Sequence, residues 1–255
     1  MAGGLEHAEI AVSDMERSLV FYRDLLGFQV AGERAGEPGV RWLDAGRGLI
    51  KLVEVGPTGH TGGWENNNLQ RGIRHFAMKV GDVDAYSERL AAAGVEFTIT
   101  PRTAAGDVRL SFFLDPDGAL MEFVANPPSY DPVWSEELAL QEWAVQPRPD
   151  DPPRFEHVAV TVADLDSSLH FYRERYGMEV VGQVVLEDDV GFTITFLKAG
   201  DAVLEVFSFD AETSPNPWID DDKLLGIRAV GLGGVGPPEL VRDPDGVPLL
   251  VGQHA

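Results

Sequence analysis

Two stretches of the chain share a sequence pattern but differ at the one position of that pattern where a residue could bind a metal. Residues 69–83 read LQRGIRHFAMKVGDV and residues 224–236 read LLGIRAVGLGGVG, so His75 in the first corresponds to Ala229 in the second. The chain has no cysteine, so any metal must be bound by histidine, aspartate or glutamate. Imidazole and carboxylate side chains are therefore the candidate ligands and acid–base groups.

The segments that position these groups belong to an internal repeat. Residues 5–30 and 155–180 align without a gap at an offset of 150, and 11 of the 26 positions are identical, including His7 with His157. Further along, two Ala-Gly dipeptides fix a register with an offset of 154, in which Lys51 corresponds to Glu205. Together with the two Gly-Ile-Arg segments, these matches divide the chain into four repeated units.

Each complete unit predicts the element order β-α-β-β-β. An alternating strand leads to an aspartate that can cap a helix, Asp14 or Asp164. A glycine, Gly27 or Gly177, follows the helix where a positive φ is needed. Three further strands complete the unit, and Asp-Pro-Asp-Gly turns precede the last strand in units two and four.

The fourth unit is shortened. His75 and Asp115, the first residue of the turn, are 40 residues apart, whereas Ala229 and the equivalent Asp243 are only 14 apart. The missing length, about 26 residues, predicts the loss of the helix and one strand. Between units two and three, residues 128–152 form a proline-bounded connector with a helix predicted over residues 132–145.

The composition excludes several classes of partner. The formal net charge of −22 argues against nucleic acid, because phosphate binding needs clustered cations. No stretch is apolar over the ~18 residues that a membrane-spanning helix requires. No signal peptide is evident at the N-terminus, so a cytoplasmic location is expected.

The repeated units resemble the vicinal oxygen chelate superfamily, which includes glyoxalase I, extradiol dioxygenases and antibiotic-resistance proteins. The first-strand histidine, the helix sequence FYRDLLGF and the terminal DPDGALMEF are the residues that match. The resemblance implies an α+β fold in which four tandem βαβββ modules, the last truncated, form two glyoxalase-like domains with cupped, mixed β-sheets. The predicted boundaries are residues 1–127 for the first domain, 128–152 for the connector and 153–255 for the second domain.

The resemblance also places metal ligands on the first and last strands of each unit. The residues at these positions are, unit by unit, His7 and Lys51, His75 and Glu122, His157 and Glu205, and Ala229 and Leu250. Which of them meet depends on how the units pair.

Two pairings of the units are open. If units two and three build one cup, it contains His75, Glu122, His157 and Glu205. Units one and four then form a cup that cannot hold a divalent ion, because a protonated lysine offers no lone pair. If adjacent units pair instead, the first half offers the triad His7, His75 and Glu122, the facial arrangement of non-haem Fe(II) sites. The crosswise pairing is preferred, because it explains why the losses fall together in units one and four.

Two histidines and two glutamates suit one six-coordinate divalent transition ion per chain: nickel, cobalt, manganese, iron or zinc. The expected substrate is a small molecule with adjacent oxygens that chelate the ion. The expected reaction is proton transfer through an enediolate, as in an isomerase, epimerase or lyase. By resemblance to glyoxalase I, Glu122 is the expected base and Glu205 the more permanent ligand. A monomer and a homodimer both fit.

Two departures from the glutathione-dependent glyoxalases predict a less charged, more apolar substrate. Their arginine four residues after the first-strand histidine is Thr161 here, and their asparagine four residues after the glutamate is Phe209. Together with Phe112 and Phe207, these are the expected substrate-binding residues.

Two other functions remain open. An extradiol-type dioxygenase would have a tyrosine three residues before the terminal Asp-Pro, where this chain has Phe112. A binding or resistance protein would hold a drug without chemistry in an apolar cup, lined by aromatic residues such as Trp42, Phe113 and Phe196. Bound metal favours an enzyme, and its absence together with tight drug binding favours sequestration.

Overall fold

The four units build two mixed β-sheets. The computed structural model of the chain describes residues 3–32, 37–186 and 188–253. Within these ranges, no helix is both long and apolar enough to cross a membrane.

The elements follow the predicted order in the three complete units. Unit one contains β1 (Leu5–Val12), α1 (Met15–Leu19) with a π-helical continuation (Val20–Leu25), β2 (Gln29–Gly32), β3 (Val40–Asp44) and β4 (Leu49–Glu54). Unit two contains β5 (Gly72–Lys79), α2 (Val83–Ala92), β6 (Phe97–Thr103), a 3-10 turn (Ala105–Asp107), β7 (Arg109–Leu114) and β8 (Leu120–Ala125). The connector contains α3 (Glu136–Trp143). Unit three contains β9 (Arg154–Thr161), α4 (Leu165–Tyr176), β10 (Glu179–Val185), β11 (Thr193–Ala199) and β12 (Ala202–Ser208). Up to residue 253, unit four contains only β13 (Gly226–Gly233), β14 (Glu239–Arg242) and β15 (Pro248–Gly252).

The units pair crosswise. One sheet has seven strands in the order β14-β15-β13-β1-β4-β3-β2 and so joins units four and one. The other has eight strands in the order β10-β11-β12-β9-β5-β8-β7-β6 and joins units three and two. Each sheet therefore takes one unit from either side of the connector. The domain boundaries at residues 127 and 153 stay a prediction.

The helix caps form as predicted. The Asp14 side chain accepts a hydrogen bond from the Arg17 backbone N–H at 2.9 Å, and Asp164 accepts one from Ser167 at 2.7 Å. These carboxylates satisfy amide groups that have no partner within the helix. At the other end of α4, Gly177 has a φ of 67°, a conformation that costs glycine little.

Hydrogen bonds within each half complement the crosswise sheets. The Tyr22 hydroxyl of unit one donates to Asp115 Oδ2 in the turn of unit two at 2.8 Å. The Tyr172 hydroxyl of unit three donates in the same way to Asp243 Oδ2 of unit four, also at 2.8 Å. One hydrophobic core runs beneath both sheets and includes Phe155 of one and Ile50 of the other. The two sheets are thus connected by both packing and chain topology.

The connector packs on the eight-stranded sheet. The backbone N–H groups of Trp134 and Ser135 both donate to the Val181 carbonyl at 2.9 Å, and that of Asp131 donates to Gln183 at 2.8 Å. Helix α3 is shorter than the predicted span of 132–145, because the residues before Ser135 bond to the edge of the sheet. The connector therefore adjoins the cup that units two and three form.

Candidate active site

Four neighbouring strands bring the expected ligands together. Strands β5 and β9 are antiparallel neighbours, and His75 and His157 each lie opposite an alanine of the other strand. Strand β8 runs parallel to β5 and carries Glu122, while β12 runs parallel to β9 and carries Glu205. The crosswise set predicted from the sequence thus lies on four adjacent strands of one sheet.

Three of these side chains form a triangle of ligand atoms. His75 Nε2 and His157 Nε2 lie 3.0 Å apart, and each lies 3.0 Å from Glu122 Oε2. Adjacent ligands about 2.1 Å from an octahedral ion are separated by about 3.0 Å, whereas tetrahedral ligands at the same bond length are about 3.4 Å apart. The three atoms therefore fit one face of a six-coordinate ion.

The Glu122 carboxylate supports this fit. Its Oε2 atom is buried and, among the residues of the described ranges, accepts no hydrogen bond of normal geometry, although two imidazole nitrogens lie beside it. Burial opposes ionisation of Glu122, but His157 and His75 outweigh it and lower the pKa of Glu122 to about 2. Burial lowers the pKa of His75, which favours the neutral imidazole that a metal requires.

Glu205 lies at the margin of the ligand cluster. Its Oε2 atom is 3.3 Å from His157 Nε2, but the set of mutually close ligand atoms comprises only His75, Glu122 and His157. Burial raises the pKa of Glu205 to about 8; the His157 charge opposes this shift, and the carboxylates of Glu122 and Glu156 add to it. The geometry thus makes Glu122, rather than Glu205, the more firmly embedded carboxylate, the reverse of the order expected from the resemblance.

The Glu156 carboxylate orients His157 from the Nδ1 side of its ring, and the Lys79 ammonium group in turn pairs with Glu156. His157 Nδ1 contacts Glu156 Oε2, and Glu156 Oε1 lies 3.2 Å from Lys79 Nζ, which donates to the Asn126 carbonyl at 3.1 Å. Burial opposes ionisation of Glu156, but Lys79 and His157 outweigh it and hold its pKa well below the usual range. Such a partner fixes the ring so that Nε2 faces the ligand cluster. Glu156 and Lys79 were not predicted from the sequence. A lysine at the end of an apolar, buried strand is nevertheless unusual and indicates that it has a partner of opposite charge.

A cavity of about 500 Å³ adjoins the ligand cluster. His75, Glu122, His157 and Glu205 all line it, and so do two of the expected substrate-binding residues, Phe112 and Phe207. The Phe112 and Phe207 ring centres lie 5.0 Å and 5.8 Å from that of His75. Aromatic walls therefore stand directly beside the candidate metal ligands.

The other two expected substrate-binding residues do not line the cavity. The Thr161 hydroxyl donates to the Asn68 carbonyl at 2.7 Å, so it holds a loop that lines the cavity without reaching the cavity itself. The Phe209 ring stacks on Phe192 at 4.6 Å, and Phe192 is the ring that faces the cavity. Both residues thus belong to the layer of side chains that packs against the cavity lining and supports it.

The connector contributes polar groups to the same cavity. Tyr130 and Glu142 both line it, and the Tyr130 hydroxyl donates to Glu142 Oε2 at 2.6 Å. Burial raises the pKa of Glu142, and the nearby Glu156 carboxylate adds to this shift. No repeat marks these two residues in the sequence, because they lie outside the four units.

The alternative triad is not assembled. His7 lies on the seven-stranded sheet with its ring 5.0 Å from that of Trp42, whereas His75 and Glu122 lie on the eight-stranded sheet. At the positions where a metal site would be expected, the seven-stranded sheet has a cluster of ion pairs instead. Glu9 Oε2 lies 2.9 Å from Lys51 Nζ, and Glu9 Oε1 lies 2.8 Å from Arg228 Nη2.

The fold and the site define a family. The sequence model of the Glyoxalase/Bleomycin resistance protein/Dioxygenase superfamily matches residues 4–123 and 154–224. The chain therefore belongs to this superfamily. It is 24% identical to a lactoylglutathione lyase of Arabidopsis thaliana over 181 residues, which cover 70% of this chain and 56% of that protein. It is 28% identical to a lactoylglutathione lyase of Haemophilus influenzae over 123 residues, which cover 47% of this chain and 90% of that protein. The chain spans about half the length of the plant relatives that it matches.

The fold is shared with a solved enzyme structure. The crystal structure of glyoxalase I from Zea mays matches with a TM-score of 0.68 at 19% identity, covering 98% of this chain and 92% of that one. This similarity extends through the connector and the shortened fourth unit.

Proposed function

We propose that the protein is a metal-dependent enzyme that moves a proton next to a carbonyl on a small substrate with adjacent oxygens. The proposed reaction class is isomerase, epimerase or lyase. The observation that carries the proposal is the triangle of His75 Nε2, His157 Nε2 and Glu122 Oε2, each 3.0 Å from the other two. Such an arrangement suits one divalent transition ion per chain, of nickel, cobalt, manganese, iron or zinc.

The bound ion would stabilise negative charge on the substrate oxygens and so acidify the neighbouring C–H bond. His75, His157 and Glu122 would hold the ion, and Glu156 would keep the His157 ring in place. Glu205 lines the cavity at the margin of the cluster, and a cation bound there would favour its ionised form, which can accept the proton and return it. A positioned base of this kind contributes roughly 10²–10⁴-fold to the rate.

The cavity favours an apolar substrate. Phe112 and Phe207 flank His75, and Phe192 and Phe196 extend the aromatic wall. The aromatic rings themselves offer no charged group to the charged ends of a glutathione adduct, although Lys79 and Arg102 also line the cavity. We therefore propose a substrate without glutathione, although the plant and Haemophilus relatives carry the name lactoylglutathione lyase.

A second candidate is a non-haem Fe(II) dioxygenase of the extradiol type. The same three residues are two histidines and one carboxylate, which is the facial set of such enzymes. Against it stands Phe112, which lines the cavity where the extradiol pattern has a tyrosine.

The test combines elemental analysis with hydrogen exchange. The purified protein should hold about one transition ion per chain and catalyse C–H deuterium exchange, followed by NMR, in α-hydroxyketones or β-keto acids in heavy water. Glu205→Gln should keep the ion and lose the exchange at least ~100-fold, whereas Glu122→Gln should lose the ion. Ring cleavage of a catechol with Fe(II) and oxygen would favour the second candidate. A folded protein without metal that binds an aromatic drug tightly would overturn both in favour of a resistance protein.

The proposed assembly is a monomer or a homodimer with a small-molecule partner. A cytoplasmic location stays a prediction.

A further inference from the structure

A second cavity is lined by residues of both Gly-Ile-Arg segments and by none of the four candidate metal ligands. Its volume is about 50 Å³, and its walls include Ile73 and Arg74 of unit two and Ile227 and Arg228 of unit four. The repeated motif thus borders one small space from both sides. The proposed reaction does not use this space.

Arg74 is the most deeply buried charge in its wall. The residue is only 1% exposed. Its guanidinium donates to the Gln70 carbonyl at 3.1 Å and to the Glu65 carbonyl, and it lies 5.0 Å from the centre of the Trp64 ring. Burial lowers the pKa of Arg74 to about 10, which leaves it cationic at neutral pH.

The Arg74 charge has no carboxylate partner within residues 3–32, 37–186 and 188–253. Its recorded acceptors are the neutral oxygens of Gln70 and Glu65, and its buried Nε–H has no acceptor there. A buried charge is costly unless an opposite charge or a full set of hydrogen bonds compensates it. The position therefore lacks a negative group in a chain that has 42 acidic residues.

A second donor without a partner lines the same cavity. The Trp218 indole Nε1–H is buried and finds no acceptor in the part of the chain that the structure describes. Buried N–H groups are nearly always paired with protein, water or ligand. Arg74 of unit two and Trp218, in the segment that precedes β13, thus both line one small space, and each has a buried N–H without an acceptor among the described residues.

The other charged side chains of the lining already have partners of opposite charge. Arg71 and Arg228 also belong to the wall; Arg71 Nη1 lies 3.4 Å from Asp245, and Arg228 pairs with Glu9. Asp117 is the acidic residue among the lining side chains, and Ser13 and Arg17 already occupy its carboxylate.

We propose that this cavity binds a small oxyanion, with the Arg74 Nε–H and the Trp218 Nε1–H as its donors. A single water needs roughly 10–15 Å³ of such space, so a cavity of about 50 Å³ suits a group of four or five non-hydrogen atoms. A carboxylate or a phosphate has that size, and a guanidinium fork matches the geometry of both. The oxyanion would join unit two to the segment that precedes unit four.

The five tryptophans of the full chain provide the test. In ¹H–¹⁵N NMR spectra each indole gives one signal, and Trp218→Phe identifies that of Trp218. Inorganic phosphate or acetate should shift the Trp218 signal saturably and leave that of Trp134 on the connector unchanged. A response to phosphate alone indicates a tetrahedral ligand, and a response to acetate a planar one. The melting temperature should rise with the same midpoint, by about 5 °C at saturation.

Three variants make the result specific. In Arg74→Gln the saturable response of Trp218 should disappear. Trp64 also lines the cavity, so its indole signal reports binding in Trp218→Phe, which keeps an aromatic ring. That signal should need about 10-fold more anion, because one hydrogen bond to a charged ligand is lost. Trp134→Phe, at an exposed position, should behave as the wild type. The proposal would be overturned if the Trp218 signal did not move and the melting temperature rose equally in wild type, Trp218→Phe and Trp134→Phe. That result would show a general salt effect and a cavity that holds only water.

Discussion

Glu9 occupies, in the seven-stranded sheet, the register position that Ala159 holds in the eight-stranded sheet. Glu9 lies opposite Ala229 and beside Lys51, just as Ala159 lies opposite His75 and beside Glu205. The carboxylate of Glu9 therefore stands next to the site of the missing imidazole, where it pairs with Lys51 and Arg228. Where the eight-stranded sheet carries candidate metal ligands, the seven-stranded sheet thus carries charges that pair with one another.

This correspondence predicts that the vacant cup can be rebuilt. The variant combining Glu9→Ala, Lys51→Glu, Ala229→His and Leu250→Glu recreates the ligand positions of the eight-stranded sheet around His7. Elemental analysis should then find about two ions per chain in place of one. Adding His7→Ala to the same variant should return the content to one. A rebuilt protein that folds and still binds a single ion would show that register alone does not reproduce the site.

Removal of single histidines should separate the two sheets. His157→Ala deletes a corner of the ligand triangle and should abolish tight metal binding, whereas His7→Ala should keep the full metal content. Isothermal titration of the metal-free proteins measures the difference. Retention of the metal in His157→Ala together with its loss in His7→Ala would contradict the assignment of the site to the eight-stranded sheet.

The contact between Glu156 and His157 predicts an effect on metal affinity without loss of a ligand. Glu156→Gln removes the negative charge that orients the ring and increases its basicity, and metal affinity should fall roughly 10–100-fold. Glu174→Gln, on the exposed side of α4, is the matched control and should have no effect. Equal affinities in the two variants would mean that the sheet alone fixes the imidazole.

Stability should depend on pH through Asp115. Burial raises its pKa from 3.8 to about 6, although Tyr22 and two backbone amides donate to its carboxylate. The folded state thus binds this proton more tightly than the unfolded state. The resulting stability is fully present below about pH 4 and is lost as the pH rises through about 6. A shift of roughly 2 units corresponds to about 3 kcal/mol.

Asp115→Asn cannot titrate at this position and keeps an oxygen acceptor for the turn. Urea unfolding of both proteins between pH 4 and pH 7.5 should show the wild type losing up to about 3 kcal/mol relative to the variant. Asp243→Asn should behave alike, since burial also raises the pKa of Asp243 to about 6. Parallel curves for wild type and both variants would mean that the carboxylates are ionised throughout.

The fold was readable from the sequence because repeats preserve the residues that begin and end elements. Asp14 and Asp164 cap helices, and Gly177 ends one, for reasons local to a few residues. The resemblance to the superfamily also identified the strands that carry His75, Glu122 and His157. The crosswise pairing could only be preferred, because strand neighbours depend on contacts far apart in the chain.

The remainder of the site depends on tertiary packing. Thr161 and Phe209 lie at positions equivalent to substrate contacts in relatives, yet here each points into a supporting layer. Tyr130 and Glu142 belong to a connector without a repeat, so no periodicity places them at the cavity. The different settings of Glu122 and Glu205 likewise follow from distances that a sequence does not contain.

The crosswise sheets have a consequence for the order of assembly. All strands of the eight-stranded sheet come from the uninterrupted span of residues 72–208, whereas the seven-stranded sheet joins strands from either side of that span. Its Glu9–Arg228 pair closes a loop of 219 residues, an ordering cost that is met only after the intervening chain has folded. We therefore expect the ligand-bearing sheet to form first on the ribosome, and the seven-stranded sheet to be completed as the last cooperative step.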